Sequence, residues 1–305
     1  MENKYLRNTI CMFLLALLSV ASCEVVVPHP YTVEHDALLE LRCVIADADS
    51  AVVDIARRYA ITHDHRIPPT EPLMLNSSLI FMVNGKHLDY RAMKGEEDKY
   101  IVSYPFASGD RIDVYCSAPG LPDIEASTTV PEVADNTIES FDVWREGYGI
   151  KGSVVLNDNP DRYDAYSVEV HVTMSEATYV DGKYMNTEVH TYVQHCSMDG
   201  TGRGVLKVID DSYAAKESKI RMILPQMSLS TSSGYTDPDG KRYDVKIKTD
   251  LQLKVGVLSK ELYLSNLYQG YSYMSPYCYT NIKGGLGCLG AMTQCVSEII
   301  TFGEL

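Results

Sequence analysis

From Leu38 onward, apolar residues recur at every second position over short stretches, the period at which a β-strand sends alternate side chains to opposite faces. Leu39, Leu41, Cys43 and Ile45 alternate with Glu40 and Arg42, and Ile112, Val114 and Cys116 alternate with Asp113 and Tyr115. The pattern predicts strands over Leu38–Ala46, Ala51–Tyr59, Ser78–Val83, Lys99–Tyr104, Asp110–Ala118 and Ile124–Val130, with Asn84-Gly85 as a tight hairpin turn. Strands of this length and spacing fit an immunoglobulin-like β-sandwich over residues 31–131.

Pro131–Asn136, with Pro, two acids and Asn, reads as a linker, so residues 136–305 form a second, larger region. Its alternating runs are Ile138–Val143, Gly149–Asn157, Tyr166–Met174, Glu188–Cys196, Gly204–Ile209, Lys219–Leu224 and Arg242–Leu253. One segment changes period. After Ser259, the residues Leu262, Leu264, Leu267 and Tyr268 recur near helical spacing as far as Tyr273. The predicted fold is mainly β: an immunoglobulin-like sandwich, then an antiparallel β-sandwich or barrel-like domain with one helix near the C-terminus.

The N-terminus departs from both patterns. Lys4 and Arg7 precede the apolar run Ile10 to Leu18, which is shorter than the roughly 20 residues a bilayer span needs. Small residues follow, so residues 1–22 read as a secretory signal. Val20-Ala21-Ser22-Cys23 has the form of a lipobox, in which cleavage leaves Cys23 to carry acyl chains. More than one chain makes such an anchor stable. Residues 23–30, with Pro28 and Pro30, then supply an extended tether.

Composition narrows the partners. Against 27 Lys and Arg stand 41 Asp and Glu, a formal charge of −14, and no basic patch offsets it, so nucleic acid is not an expected partner. Twenty-two Tyr against five Phe and one Trp favour half-exposed sheet surfaces, because the phenol needs water or a polar partner. With Cys11 leaving in the signal and Cys23 carrying lipid, export permits disulfides among the six remaining cysteines, and Cys43 with Cys116, each on the inward face of a strand, is the pair a sandwich would clamp.

Candidate chemistry is sparse, and neither a catalytic residue nor a cofactor is expected. Gly285-Leu-Gly287-Cys-Leu-Gly290 matches a nucleotide-binding glycine pattern, but only fifteen residues follow it, too few for the required strand and helix. A hairpin or bulge needing close backbone approach is the better reading. His63-Asp64-His65 reads as an exposed loop. Strand alternation sets His190 and Cys196 on one face and His195 on the other, which opposes a shared metal. Asn157-Asp158-Asn159-Pro160-Asp161 lacks the Gly and final Glu of an EF-hand loop, and Asp210-Asp211 reads as a solvated loop.

Several segments, in order, resemble one family. They are Asn157 to Tyr166 (NDNPDRYDAY), Ile209-Asp-Asp-Ser-Tyr213, Leu258-Ser-Lys-Glu-Leu-Tyr263 and Tyr279-Thr-Asn-Ile-Lys-Gly-Gly-Leu-Gly287. Pro105 to Asp110 and Ala126 to Pro131 extend the resemblance over most of the chain. The family is a group of Bacteroidota outer-membrane lipoproteins known only as a domain of unknown function. Cys288 stands where its members carry an aliphatic residue, and Glu24-Val-Val-Val27 lacks the acidic cluster associated with export to the outer face.

Members lie beside genes for TonB-dependent receptors, so the resemblance implies a non-enzymatic, lipid-anchored accessory binding protein for nutrient uptake at the outer membrane, with such a receptor as partner. A structural or adhesive surface lipoprotein is the alternative. The tyrosines near the glycine-rich motif, Tyr268, Tyr271, Tyr273, Tyr277 and Tyr279, form the candidate docking surface.

Overall fold

The computed structural model describes residues 37–46, 49–59, 71–72, 77–96, 98–198, 208–211, 218–229, 232–268 and 279–304. The signal segment, Cys23, the tether and His63-Asp64-His65 lie outside the described residues. The first nine strands are β1 (Ala37–Ile45), β2 (Ser50–Tyr59), β3 (Glu71–Pro72), β4 (Ser78–Val83), β5 (Lys86–Leu88), β6 (Tyr90–Ala92), β7 (Lys99–Ser103), β8 (Arg111–Ser117) and β9 (Ile124–Thr129). After the linker come β10 (Ile138–Glu146), β11 (Gly149–Asn157), β12 (Ala165–Val180), β13 (Lys183–His195), β14 (Val208–Asp210), β15 (Lys219–Ser228), β16 (Ser232–Thr236) and β17 (Arg242–Leu258). The helix α1 (Lys260–Tyr268), β18 (Leu286–Val296) and β19 (Ile300–Phe302) complete the order. The mainly-β fold with one helix near the C-terminus is as the residue pattern predicts.

Two sandwiches result. In the first, β5-β4-β8-β9 faces a sheet that runs β6-β7-β2-β1-β18. Alternation buries Leu39, Leu41, Cys43 and Ile45 from one sheet against Phe81, Val83, Ile112 and Val114 from the other. In the second, β10-β11-β15 covers β13-β12-β17-β18, and Val154, Leu156, Ile220 and Met222 pack on Val168, Val170, Leu251 and Leu253. These apolar layers hold the molecule together. The ion pairs are exposed in large part, as in Lys99–Glu96 and Arg242–Asp244, and exposed pairs contribute only about 0–1 kcal/mol each.

The two sandwiches share one strand. The first part of β18 runs parallel to β1, from Glu40 opposite Leu286 to Ile45 opposite Ala291, and its end runs antiparallel to β17, from Leu258 opposite Met292 to Lys254 opposite Val296. Ile282, Leu289 and Ala291 therefore belong to the first core although they lie late in the chain. The linker at Pro131–Asn136 separates the two groups of strands, yet the first sandwich is completed by residues from beyond it.

The glycine-rich run makes that crossing feasible. A Cβ at Gly285 would lie 2.5 Å from the Leu39 carbonyl oxygen, and one at Gly287, where φ is +104°, would collide with that of Leu41. A Cβ at Gly290 would sit 2.7 Å from Leu262 of α1. The glycines admit close backbone approach, as expected, within a strand rather than a hairpin.

Candidate functional site

Three of the segments, those around Tyr163, Asp210 and Tyr263, meet at one polar node where β12, β14 and α1 adjoin. Asp158, Tyr163, Asp164 and Tyr166 come from the segment entering β12, Asp210 and Asp211 from the end of β14, and Tyr263 from α1. Asp210 accepts hydrogen bonds from the Tyr163 and Tyr263 hydroxyls at 3.3 and 3.0 Å, and Asp211 accepts one from the Asp164 backbone N–H at 2.8 Å. The Tyr166 hydroxyl donates to Asp158 at 2.8 Å. Arg162 binds Asp164 and reaches back to Glu132 in the linker. Asp210-Asp211 is thus a bracket between elements and not a solvated loop.

Burial sets the ionisation of this node. Desolvation and the neighbouring carboxylates raise the Tyr163 and Tyr166 phenols well above the usual range, so both stay protonated donors. Desolvation also raises the Asp211 carboxyl, and the nearby aspartates add to that shift. Each polar group here already serves another protein group, which marks the node as structural. Among the described residues no group of three or more His, Cys, Asp and Glu side chains is placed to hold a metal ion. His190 is exposed while Cys196 is fully buried.

The thiols are equally unsuited to nucleophilic work. Cys43 and Cys116 sit in the first core as free thiols on facing sheets, and the thiol acting electrostatically on Cys43 is that of Cys288. Desolvation pushes Cys43 and Cys196 up to about 12 and Cys116 up to about 11, and a thiol so raised is a poor nucleophile at neutral pH.

Of the five tyrosines predicted as a docking surface, two lie among the described residues. Tyr268 ends α1 and Tyr279 is half-buried near Glu261 and Cys288, with its phenol pushed up to about 12 by desolvation first. Tyr271, Tyr273 and Tyr277 lie outside the described residues. A further set, Tyr179, Tyr184, Tyr235 and Tyr243, lies at the far end of a four-stranded ribbon, β13-β12-β17-β16, that runs past the second core.

At that end, Asp181 and Gly182 both have positive φ, 49° and 77°, the conformation of a tight two-residue turn between β12 and β13. Tyr179 and Tyr184 meet across the hairpin with ring centroids 5.9 Å apart, and the Lys246 ammonium lies 5.2 Å from the Tyr179 centroid. On the opposite face Tyr235 stacks on Tyr243 at 4.6 Å with the rings 2° from parallel. Tyr184 is 58% exposed and Tyr235 is 60% exposed. Asp181-Gly182 between two alternating runs was the sequence signal for this turn; that the Tyr179–Tyr184 and Tyr235–Tyr243 pairs share one tip had none, because the two pairs are far apart in sequence.

A shallower opening lies on the first sandwich, a cleft of about 400 Å³ lined by Ile80, Tyr115, Ser78 and Ser117 and crossed by the Lys283–Glu125 ion pair. Its side chains offer the Ser78 and Ser117 hydroxyls, the Cys116 thiol and the Asp123 carboxylate as contacts.

No protein-family model and no curated protein matches this chain. Among solved structures, an adhesin InvE of Yersinia pseudotuberculosis is 9% identical with a TM-score of 0.18, over 72% of this chain and 55% of that one. A biofilm-associated protein BSP domain is 6% identical with a TM-score of 0.16, over 86% of this chain and 58% of that one. The chain thus spans little over half the length of either structure, and likeness at this level defines no common topology. No helix among the described residues is long and apolar enough to cross a membrane.

Proposed function

We propose that the chain is a non-enzymatic, lipid-anchored protein of the cell envelope that binds a protein partner through the tip of its ribbon. The observation that carries this reading is the tip itself. Two exposed tyrosines on opposite faces, Tyr184 and Tyr235, each pack on a half-buried one, Tyr179 under a lysine and Tyr243, beyond any core that would require them. Tyr is enriched at protein interfaces because its rigid ring buries area at small entropic cost while its hydroxyl finds a partner. The polar node and the buried thiols are occupied in holding the fold, which leaves binding as the chemistry available at the surface.

Anchoring rests on the lipobox at Cys23, and the partner the family resemblance implies is a TonB-dependent receptor of the outer membrane, served during nutrient uptake. A structural or adhesive surface role is the second reading, favoured by the exposure of β13 on both faces. One experiment addresses anchor and tip together: affinity capture of the tagged protein from native membranes, comparing wild type with Cys23→Ala and with Tyr184→Ser combined with Tyr235→Ser. Cys23→Ala is expected to move the protein to the soluble fraction. The tyrosine double variant is expected to stay anchored and folded but lose a receptor that wild type captures. Unchanged capture by the double variant overturns the tip, and recovery of host-matrix or surface proteins in place of a receptor selects the adhesive role.

A further inference from the structure

The outer edge of the ribbon is β13, and among the described residues its free side pairs with no strand. Residues Lys183 to Val193 are all exposed, so neither face of the strand is covered. Long open edges invite pairing, and proteins block them with charges, prolines or bulges. The other long edges here are blocked: β15 carries Pro225, and β10 carries Glu139, Asp142, Arg145 and Glu146 with a register break near Ile138. From Asn186 to His195, β13 is regular against β12, has no proline and carries a single carboxylate, Glu188.

That edge is complementary to itself. Laid antiparallel on a copy of itself about Val189, the strand sets Val189 against Val189, Glu188 against His190, Thr187 against Thr191 and Asn186 against Tyr192. Directly opposed residues on one face lie about 5 Å apart at Cβ, and β-branched pairs and opposite charges there are favourable. Within one copy Glu188 faces Glu176 across β12, accepts a 3.4 Å hydrogen bond from the Asn186 amide and has the His190 imidazole 3.9 Å away in its own strand. A second copy brings another imidazole to the open flank of that carboxylate.

We propose that β13 is a self-association edge, pairing antiparallel with β13 of a second copy of this chain around a two-fold axis at Val189. The contact is isologous and therefore closes at two copies. It is independent of the partner bound at the ribbon tip, since the tyrosines lie at the end of the hairpin and Val189 lies midway along its outer strand. A single-strand seam falls short of the roughly 1,600 Å² of a standard interface, so association is concentration-dependent and favoured by tethering to one membrane.

The test is cysteine cross-linking of the full chain in native membranes, read on non-reducing gels beside the wild-type chain as background. Val189→Cys is expected to give a covalent dimer, because each new thiol faces its own copy. Thr191→Cys alone is expected to give none, whereas co-expressed Thr187→Cys and Thr191→Cys chains are expected to join to each other. Val189→Lys, a substitution at an exposed site that sets two ammonium groups against each other, is expected to shift the purified protein from dimer to monomer in sedimentation. Failure of Val189→Cys to cross-link above Thr191→Cys, or a wild-type protein that stays monomeric at every concentration, overturns the proposal whatever the capture experiment at the tip returns.

Discussion

At the scale of single residues, the polar node shows how little of its acidity is free. Tyr166 is buried with its ring in the second core and its hydroxyl on Asp158. Tyr166→Phe keeps the ring and removes the donor, so the expected cost is about 1 kcal/mol at neutral pH, read from urea unfolding. The pH dependence has a definite sign. The folded protein holds the Tyr163 and Tyr166 protons more tightly than the unfolded chain does. Their contribution is therefore complete below the unfolded phenol value of about 10 and is lost as pH rises through the folded values. Tyr166→Phe and wild type should run parallel below about pH 10 and converge above it; divergence confined to acid pH would assign the dependence to carboxylates instead.

At the scale of elements, alternation located most of the strands. Ser78–Val83 and Gly149–Asn157 occupy the residues that the pattern predicts. The helix occupies Lys260–Tyr268, and the continuation to Tyr273 that the apolar recurrence suggests lies outside the described residues. The pattern does not reveal β18, because Leu286 to Val296 is rich in glycine and lacks a run of alternating polar positions. Both flanks of that strand are covered by neighbouring strands, and small residues replace the usual alternation where a backbone or helix comes close. Gly287→Ala is expected to destabilise the protein by more than the roughly 1 kcal/mol of an ordinary glycine substitution. The methyl group would meet the Leu41 carbonyl at a positive φ. Gly182→Ala, at an open turn with no neighbour within 4 Å, should cost less, and equal losses in thermal unfolding would contradict the close-approach role.

At the scale of the molecule, β18 pairs with strands of both sandwiches, so the two are expected to unfold as one cooperative body. Cys43 and Cys116 report on the first core and Cys196 on the second, and all three are buried with raised thiol values. Leu289→Ala removes a fully buried side chain that the C-terminal strand contributes to the first core. Its expected cost is about 2–5 kcal/mol. In rising urea the variant should label at all three cysteines together and earlier than wild type, as mass mapping would show. Early labelling at Cys43 and Cys116 alone would mean that the sandwiches open separately, and labelling of those two only after reduction would reveal the bridge expected from export.

Period-two alternation by itself determined that this chain is mainly β, where its early strands lie and that Ser259 opens the helical run, because side-chain burial on a pleated strand is a local property of neighbouring residues. Only the tertiary structure decided that the last long strand completes the first sandwich, that Asp210-Asp211 clamps three segments, and that Tyr179, Tyr184, Tyr235 and Tyr243 meet at one tip. Those facts depend on which strand edges find each other across long stretches of chain, and no local period records a pairing between distant segments.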